Sequence, residues 1–541
     1  MSITNILRSG FLSLKNFQPN FSKPNLDIKN FFFDPYKIFL IIIFSIIFLP
    51  HAFIIIDDIN LIIAFETDPG AITHSIEDMF KSPIYNMHNS YHSKFYGWTY
   101  ISLNFLLLAP IKIFLQLTHS NNGFIFYLTI RLILFTIGLA TVLLFYTIVN
   151  RFIKNSFFST LAAILYIFSP NYNFFYFIHP ETTGTLFLFL GILCLLEFIQ
   201  KTQDKYYFYG LICLVFSSLA KQPFFFTSLP VLFLFLHFYC RNNQKKYLEF
   251  ILSKKFAKIF LTTSLIAIGV LFIIHPYAIL RFNKFIEYQT QLSQFFTNNQ
   301  YPTPFKVAVI AWIATVKSVP IISISVALSP LTIPAAFFLY YKTKKQNYFL
   351  YAANLLGAIF VLIMTICFNS HSPIAYYLQS CYPFFLLNII SLLWFLIKNK
   401  NIFVSTIAKI FSTYFIYLIL ASSAHSAITQ LNLRLNYKES TAYKTYSYVK
   451  NNLTLADKLV YDHYVALPSQ LNEIGCHYWH GCGTDHIEEF KPNYVMFDEK
   501  FQINNMPYNE TERLKKYVKD HKLKLIETIK SNGQTISIYK K

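Results

Sequence analysis

The chain has 541 residues, 54% of them hydrophobic and only 13% charged, where a soluble domain carries about 25% charged residues. Sixty Phe and 38 Tyr against 14 Gly exclude a disordered or low-complexity chain, and domains split beyond roughly 250–300 residues, so no single water-soluble core absorbs this much apolar surface. The 46 Lys and Arg against 26 Asp and Glu leave a net charge of +20; much of it sits in short clusters between apolar runs, the positive-inside pattern of a membrane protein and not the continuous basic face of a nucleic-acid-binding one.

Residues 1–36 are polar and basic (Arg8, Lys15, Lys23, Lys29) and too long and Phe/Asn-rich for the n-region of a cleavable signal. They read as a cytoplasmic N-terminal segment ahead of an uncleaved anchor. A spanning helix needs about 20 apolar residues. The runs near 38–56, 124–149, 157–177, 182–200, 207–222, 224–240, 259–275, 320–341, 347–368, 376–397 and 403–421 predict an all-α polytopic membrane protein of about 11 transmembrane helices. Its basic connections are Arg151/Lys154, Lys201/Lys205, Arg241 with Lys245, Lys246, Lys254, Lys255 and Lys258, Lys342/Lys344/Lys345, and Lys398/Lys400. Placing all of them in the cytoplasm gives an N-terminus inside and a C-terminal segment outside an inner (plasma) membrane. The run 98–117 is long enough to span but carries Pro110 and Lys112, and counting it would invert every later loop. It is therefore expected to lie as a juxtamembrane helix in the outer interface.

On the outer side this scheme leaves the stretches 57–97, about 169–181, 276–319 and 369–375. The expected transmembrane domain covers 37–421. The tail, 422–541, is rich in Lys, Asn, Glu and Tyr and predicts a small soluble α/β domain: a helix over 434–451, strands over 458–462 and 494–498, a helix over 509–521 and a hairpin turning at Asn532-Gly533. Cys194, Cys213, Cys240, Cys367 and Cys381 lie in or beside apolar runs as packing residues, whereas Cys476 and Cys482 are close enough to pair outside the cytoplasm. No internal repeat is visible, which weighs against a secondary transporter built on inverted repeats.

The first outer loop holds the densest set of acids: Asp57, Asp58, Glu66 and Asp68. Asp68-Pro69-Gly70 opens a helix, with Asp68 a good N-cap and Pro69 at the first position. Capping alone would explain Asp68 as well as chemistry would. His74, His88 and His92 follow without metal-ligand spacing. A first span, an acidic outer loop, a short helix and then YGWTY entering an interfacial helix resemble the GT-C glycosyltransferases that use polyprenyl-phosphate sugars, in particular the protein O-mannosyltransferase and aminoarabinose-transferase branch.

That resemblance implies roles along most of the chain. Asp68 matches the catalytic acid of the first loop; Pro69 stands where the family's Glu would be, so the second acid is either missing or replaced by Glu66. Arg131, within the second span, matches an Arg often found there, although it is also placed to snorkel to the outer interface. Glu181, in His179-Pro180-Glu181, matches a second outer acid, and equally suits a helix first turn. Lys221 in SSLAKQPFFF and Arg281 with His275 in HPYAILRFNKF match carrier-phosphate segments, and SHSPIAYYLQSCYPFF supplies His371, Tyr376, Tyr377 and Pro383.

The expected function is transfer of a sugar from a polyprenyl-phosphate donor to a lipid, glycan or protein acceptor on the extracytoplasmic face. Asp68 would be the general base and the anomeric centre would invert. No cofactor is required by this reading, although Asp68 with Glu181 would suit a divalent metal. Membrane lipids are implied partners and nucleic acid is not. The alternative is a transporter or flippase of a lipid-linked saccharide; a third reading is a non-catalytic scaffold.

Overall fold

The structure is a computed structural model. It describes residues 34–53, 98–118, 123–168, 179–242, 253–274, 305–343, 346–368, 375–398, 401–462, 465–477, 487–498, 510–531 and 534–541, with a few single helical positions between them (61, 76, 80, 280, 282–283 and 286–287).

Thirteen helices precede the sheet among the described residues: α1 Pro35–Ala52, α2 Trp98–Leu117, α3 Gly123–Ile153, α4 Ser156–Ile167, α5 Glu181–Lys201, α6 Asp204–Ala220, α7 Gln222–Asn242, α8 Lys254–Ile274, α9 Phe305–Lys317, α10 Pro320–Thr343, α11 Gln346–Phe368, α12 Tyr382–Ile397 and α13 Ile402–Leu435. Their boundaries follow local chemistry. Asp34 caps α1 by accepting from the Tyr36 amide at 3.0 Å, with Pro35 at the first position. Asn155 caps α4 in the same way through Phe158.

Eight of these helices are long and apolar enough to cross a membrane: α1, α2, α3, α5, α7, α8, α10 and α11. Large side chains such as Ile46, Phe260, Leu261, Ile273, Leu331 and Ile402 are exposed on helix surfaces. No water-facing helix would carry that pattern, and lipid supplies the missing solvent. The chain is a membrane protein.

The expected count of eleven is not reproduced. Seven of the eleven runs fall in the eight helices identified above as able to span, the eighth of which is α2, the run set aside as interfacial; the run 403–421 lies within the 34-residue α13. Of the run 157–177, the described part forms the twelve-residue α4, about 18 Å at 1.5 Å per residue, and 169–177 lie outside the described residues. The run 376–397 begins as a 3-10 turn over Ala375–Ser380 and becomes α-helix only at Tyr382. Pro383 has no amide to donate and is tolerated in the first helical turn but not farther in. Within the stretch 276–319, read as irregular, α9 forms a helix with a buried Trp312.

The ends of α1, α3, α5, α6 and α7 meet at two poles. Ser217 on α6 donates to the Gly184 carbonyl of α5 at 2.8 Å, and Gly210 on α6 faces Phe235 on α7 so closely that an added Cβ would lie 2.2 Å from the ring. These contacts fix α5, α6 and α7 as antiparallel neighbours. One pole gathers the end of α1, the starts of α3, α5 and α7 and the end of α6. The other gathers the start of α1, the ends of α3 and α5 and the starts of α4 and α6.

α2 sits at the first pole. Near its start, Thr99 donates to the Phe216 carbonyl close to the end of α6 at 2.8 Å, and Ser102 to Ile274, the last residue of α8, at 2.7 Å. Farther along, Leu108 and Leu115 belong to a buried cluster whose α3 members, Tyr127 and Ile130, lie in the first turns of that helix. Both halves of α2 thus touch elements at the same pole. Ile76 and Phe80 of the first loop pack into this cluster, Phe80 at 4.7 Å from Phe105 between ring centroids.

α13 runs unbroken for 34 residues, about 51 Å, because residues 402–435 contain neither Gly nor Pro. It therefore extends past 421, the expected end of the last span, and takes up the first residues of the helix expected over 434–451. Ser440 then caps α14, Thr441–Asn452, by accepting from the Tyr443 amide.

The remaining elements are β1 Leu459–Tyr461, β2 Gly475–His477, α15 Ile487–Phe490, β3 Tyr494–Asp498, α16 Glu510–Asp520, β4 Lys524–Ser531 and β5 Gln534–Lys540. They form one five-stranded sheet in the order β2-β1-β3-β5-β4, parallel from β2 to β3 and antiparallel from β3 to β4. Asp457 clamps the start of β1 to that of β3, accepting from the Thr454 amide at 2.8 Å and the Asn493 side chain at 2.8 Å. Burial works against the charge of Asp457, but those hydrogen bonds hold its carboxyl below the usual range. Cys476 on β2 is disulfide-bonded, and Cys482, the partner suggested by spacing, lies outside the described residues. The other five cysteines are free.

Candidate functional site

Pro180 fixes the chain entering α5 and places Glu181 at its first helical position. Three buried threonines, Thr182, Thr183 and Thr185, follow in the same turn. Across from them, α6 stops at Ala220 and α7 starts at Gln222, so Lys221 alone forms the tip of a helical hairpin in extended backbone. Pro223, the second residue of α7, has no amide to give and so suits a helix start, not the middle of a helix running on from α6. Phe224 packs into the notch over Gly184, where an added Cβ would lie 2.7 Å from its ring.

The hairpin tip brings Lys221 onto Glu181. The ammonium contacts Oε1 of the carboxylate while Nδ1 of His179 contacts Oε2. The Lys221 side chain is 9% exposed and those of Glu181 and His179 are each 4% exposed. Two positions matched to separate family segments, 40 residues apart, thus form one nearly buried ion pair. A buried pair of this kind holds together because removing either partner strands the other charge.

Arg131 is buried at the same pole on α3. It donates through Nη1 to the His51 carbonyl at 2.5 Å and through Nη2 to the Tyr127 hydroxyl at 3.3 Å, with the guanidinium 4.9 Å from the Tyr127 ring centre. It ties the end of α1 to α3, and does not snorkel. The 3-10 turn carrying Tyr376 and Tyr377 packs against α5, α7, α11 and α12, with Leu378, Gln379 and Ser380 buried. Tyr382 donates to the Leu165 carbonyl of α4 at 3.3 Å, closing the bundle there.

Asp68, Glu66, His275 and Arg281 lie outside the described residues, as do Asp57, Asp58, His74, His88, His92 and His371. The contribution of His179 was not anticipated, although its spacing held the signal: a proline between two polar residues sets both at the mouth of the helix. Glu181 does not fit a divalent metal in this arrangement, since one of its oxygens faces an ammonium and the other an imidazole. No group of three or more metal-binding side chains occurs among the described residues.

No protein-family model matches the chain, and no curated protein matches it.

Proposed function

We propose that the chain is an integral-membrane glycosyltransferase that moves a sugar from a polyprenyl-phosphate carrier to an acceptor hydroxyl on the extracytoplasmic face. The observation that carries this reading is the meeting of Glu181 and Lys221 in one buried cluster with His179. The resemblance nominated the first two independently, one as an acid and one as a phosphate-binding cation. A lipid-facing bundle that concentrates an acid, an ammonium and a buried guanidinium at one pole suits a substrate whose charge sits at the membrane surface.

In this reading the first pole is extracytoplasmic, and the basic connections Arg151/Lys154 and Lys201/Lys205 face the cytoplasm. α2 lies along the outer interface, supported by its contacts at both ends with that pole. It forms the floor on which Ile76 and Phe80 seat the first loop. Asp68, eight residues before Ile76, accepts the acceptor's proton as general base. The acceptor oxygen bonds to the anomeric carbon as the bond from that carbon to the phosphate oxygen breaks. The electron pair leaves on polyprenyl phosphate, and the configuration inverts. Lys221 and Arg281 offset the charge gathering on the phosphate. Glu181 is a positioning residue that aims the ammonium of Lys221, which has three donors and uses one on the carboxylate. Glu66, His275, Tyr376 and Tyr377 complete the donor pocket in this scheme, and the C-terminal sheet presents the acceptor.

Asp68→Asn should abolish transfer while protein level and donor binding persist, and Lys221→Ala should raise the donor's KM at least tenfold. Steady-state kinetics on purified variants checks both. Near-normal turnover by Asp68→Asn would remove the base assignment, and an unchanged donor KM in Lys221→Ala would remove the phosphate assignment.

A further inference from the structure

The C-terminal sheet has two unlike ends. β1 and β3 run parallel, β5 runs against β3 and β4 against β5, with Lys540 opposite both Tyr494 and Lys524. The starts of β1, β3 and β4 and the end of β5 therefore share one end of the sheet. Lys458 stands before β1, Lys491 before β3, Lys522 and Lys524 at the entry to β4, and Lys540 and Lys541 close β5; all six are exposed. Neighbouring strands lie about 4.8 Å apart, so these lysines are set out as a row across four strands.

Two of the ammoniums sit over aromatic rings, Lys540 at 5.0 Å from the centre of Tyr494 and Lys458 at 5.6 Å from that of Phe490, contacts that hold a cation in place. Asp457 and Glu488 beside the row are already engaged, the first by Thr454 and Asn493 and the second by His521 at 3.2 Å. Glu489 and Asp520 are too few to neutralise it. The connections at this end, 453–458, 491–493 and 521–523, are all among the described residues, whereas 463–464, 478–486, 499–509 and 532–533 adjoin the other ends of the strands. That other end is tied to the 3-10 turn after α13, through the Ser531 hydroxyl on the Glu439 carbonyl and the Thr441 hydroxyl on Gln534. The lysine row thus lies the length of β5, about 20 Å at 3.4 Å per residue, from the point where α13 delivers the chain.

We propose that this end of the sheet binds an acidic polysaccharide. The row offers regularly repeated positive charge, which matches a linear polymer that carries an anion on each repeat. Its six cations are all Lys, a residue that protein–protein interfaces deplete in favour of Arg and aromatic side chains, so an acidic protein is the poorer fit. The separation from the end of α13 sets the bilayer aside. The inference rests on the extracytoplasmic side proposed for the tail and not on the transferase chemistry.

Biolayer interferometry on the immobilised full chain in detergent tests it, with polygalacturonate as the acidic polysaccharide, dextran as a neutral one and poly-L-glutamate as an acidic polypeptide. The wild type should bind polygalacturonate, lose it as ionic strength rises, and leave dextran unbound. Lys524→Glu/Lys540→Glu should weaken that binding at least about fivefold, the order expected when exposed ion pairs become repulsions. Lys438→Glu/Lys530→Glu makes the same change in net charge at the opposite end of the sheet and should keep wild-type affinity. All four side chains are exposed, so both variants should keep the wild-type thermal midpoint. Failure of the wild type to bind polygalacturonate, or wild-type affinity in Lys524→Glu/Lys540→Glu, would overturn the proposal. So would an equal loss in Lys438→Glu/Lys530→Glu, or tighter binding of poly-L-glutamate than of polygalacturonate.

Discussion

Glu181 and Lys221 show what a residue-by-residue reading reaches and where it stops. The acid after His179-Pro180 and the lysine before Gln222-Pro223 stood out in the sequence because each breaks an apolar run beside a proline. Their pairing did not, because it depends on a hairpin tip folding back across 40 residues, and no local period encodes that. The pair also changes how Lys221 is read: it is held by a carboxylate before any phosphate arrives. Removing one partner of a buried pair costs about 3–5 kcal/mol, whereas replacing both by apolar groups is often neutral. Glu181→Gln should therefore lower the thermal midpoint of the detergent-solubilised protein by several degrees. The double variant Glu181→Leu/Lys221→Met should regain most of that stability while still failing to bind donor. Recovery of donor binding in the double variant would show that the pair serves the fold alone.

At the scale of elements, most helices were legible because bilayer thickness demands long apolar runs, and α1, α3, α5, α7, α8, α10 and α11 answer to it. What escaped was set by proline and by tertiary closure. Pro383 delays α12, α13 continues where no residue stops it, and β2 is a three-residue Gly-Cys-His strand with no strand pattern of its own. At Gly475 in β2 an added Cβ would lie 2.0 Å from a Leu467 methyl and 2.9 Å from the Tyr461 ring, so a larger residue would require Leu467 to shift. The same measure separates two helical glycines. Gly210 meets Phe235 at 2.2 Å, whereas Gly269 has nothing within 4 Å. Gly210→Ala should destabilise by about 1–3 kcal/mol through overpacking. Gly269→Ala should be neutral or stabilising by up to roughly 1 kcal/mol, since alanine orders less chain entropy in a helix. Thermal unfolding in one detergent compares them directly, and equal effects would mean that the α6–α7 contact is looser than described.

For the whole molecule, paired charged side chains gather at both poles, Glu181 with Lys221 at one and Glu197 with Arg151 and Lys201 at the other. α5 alone carries Glu181 at its start and Glu197 sixteen residues on, about 24 Å along the axis, so one helix links both clusters across the apolar layer. In the proposed scheme the sidedness is read from the Lys/Arg pattern, and α2 is the element that decides it. In a background lacking the five free cysteines, Thr118→Cys and Ser440→Cys should react with a membrane-impermeant maleimide from the extracytoplasmic side, and Thr202→Cys only from the cytoplasmic side. Labelling of Thr118→Cys only from the cytoplasmic side, with Thr202→Cys labelled from the extracytoplasmic side, would make α2 a true span and reverse the later topology. The acids of the first loop were legible as composition and by resemblance, and their geometry lies outside the described residues, so chemistry has to be tested by chemistry. The most direct measurement incubates the purified wild-type protein in detergent, without vesicles, with a radiolabelled polyprenyl-phosphate sugar and candidate acceptors. The transferase account expects labelled acceptor and an equal amount of released polyprenyl phosphate; donor that stays intact in detergent, but crosses the bilayer when the protein is placed in vesicles, would contradict it in favour of a flippase.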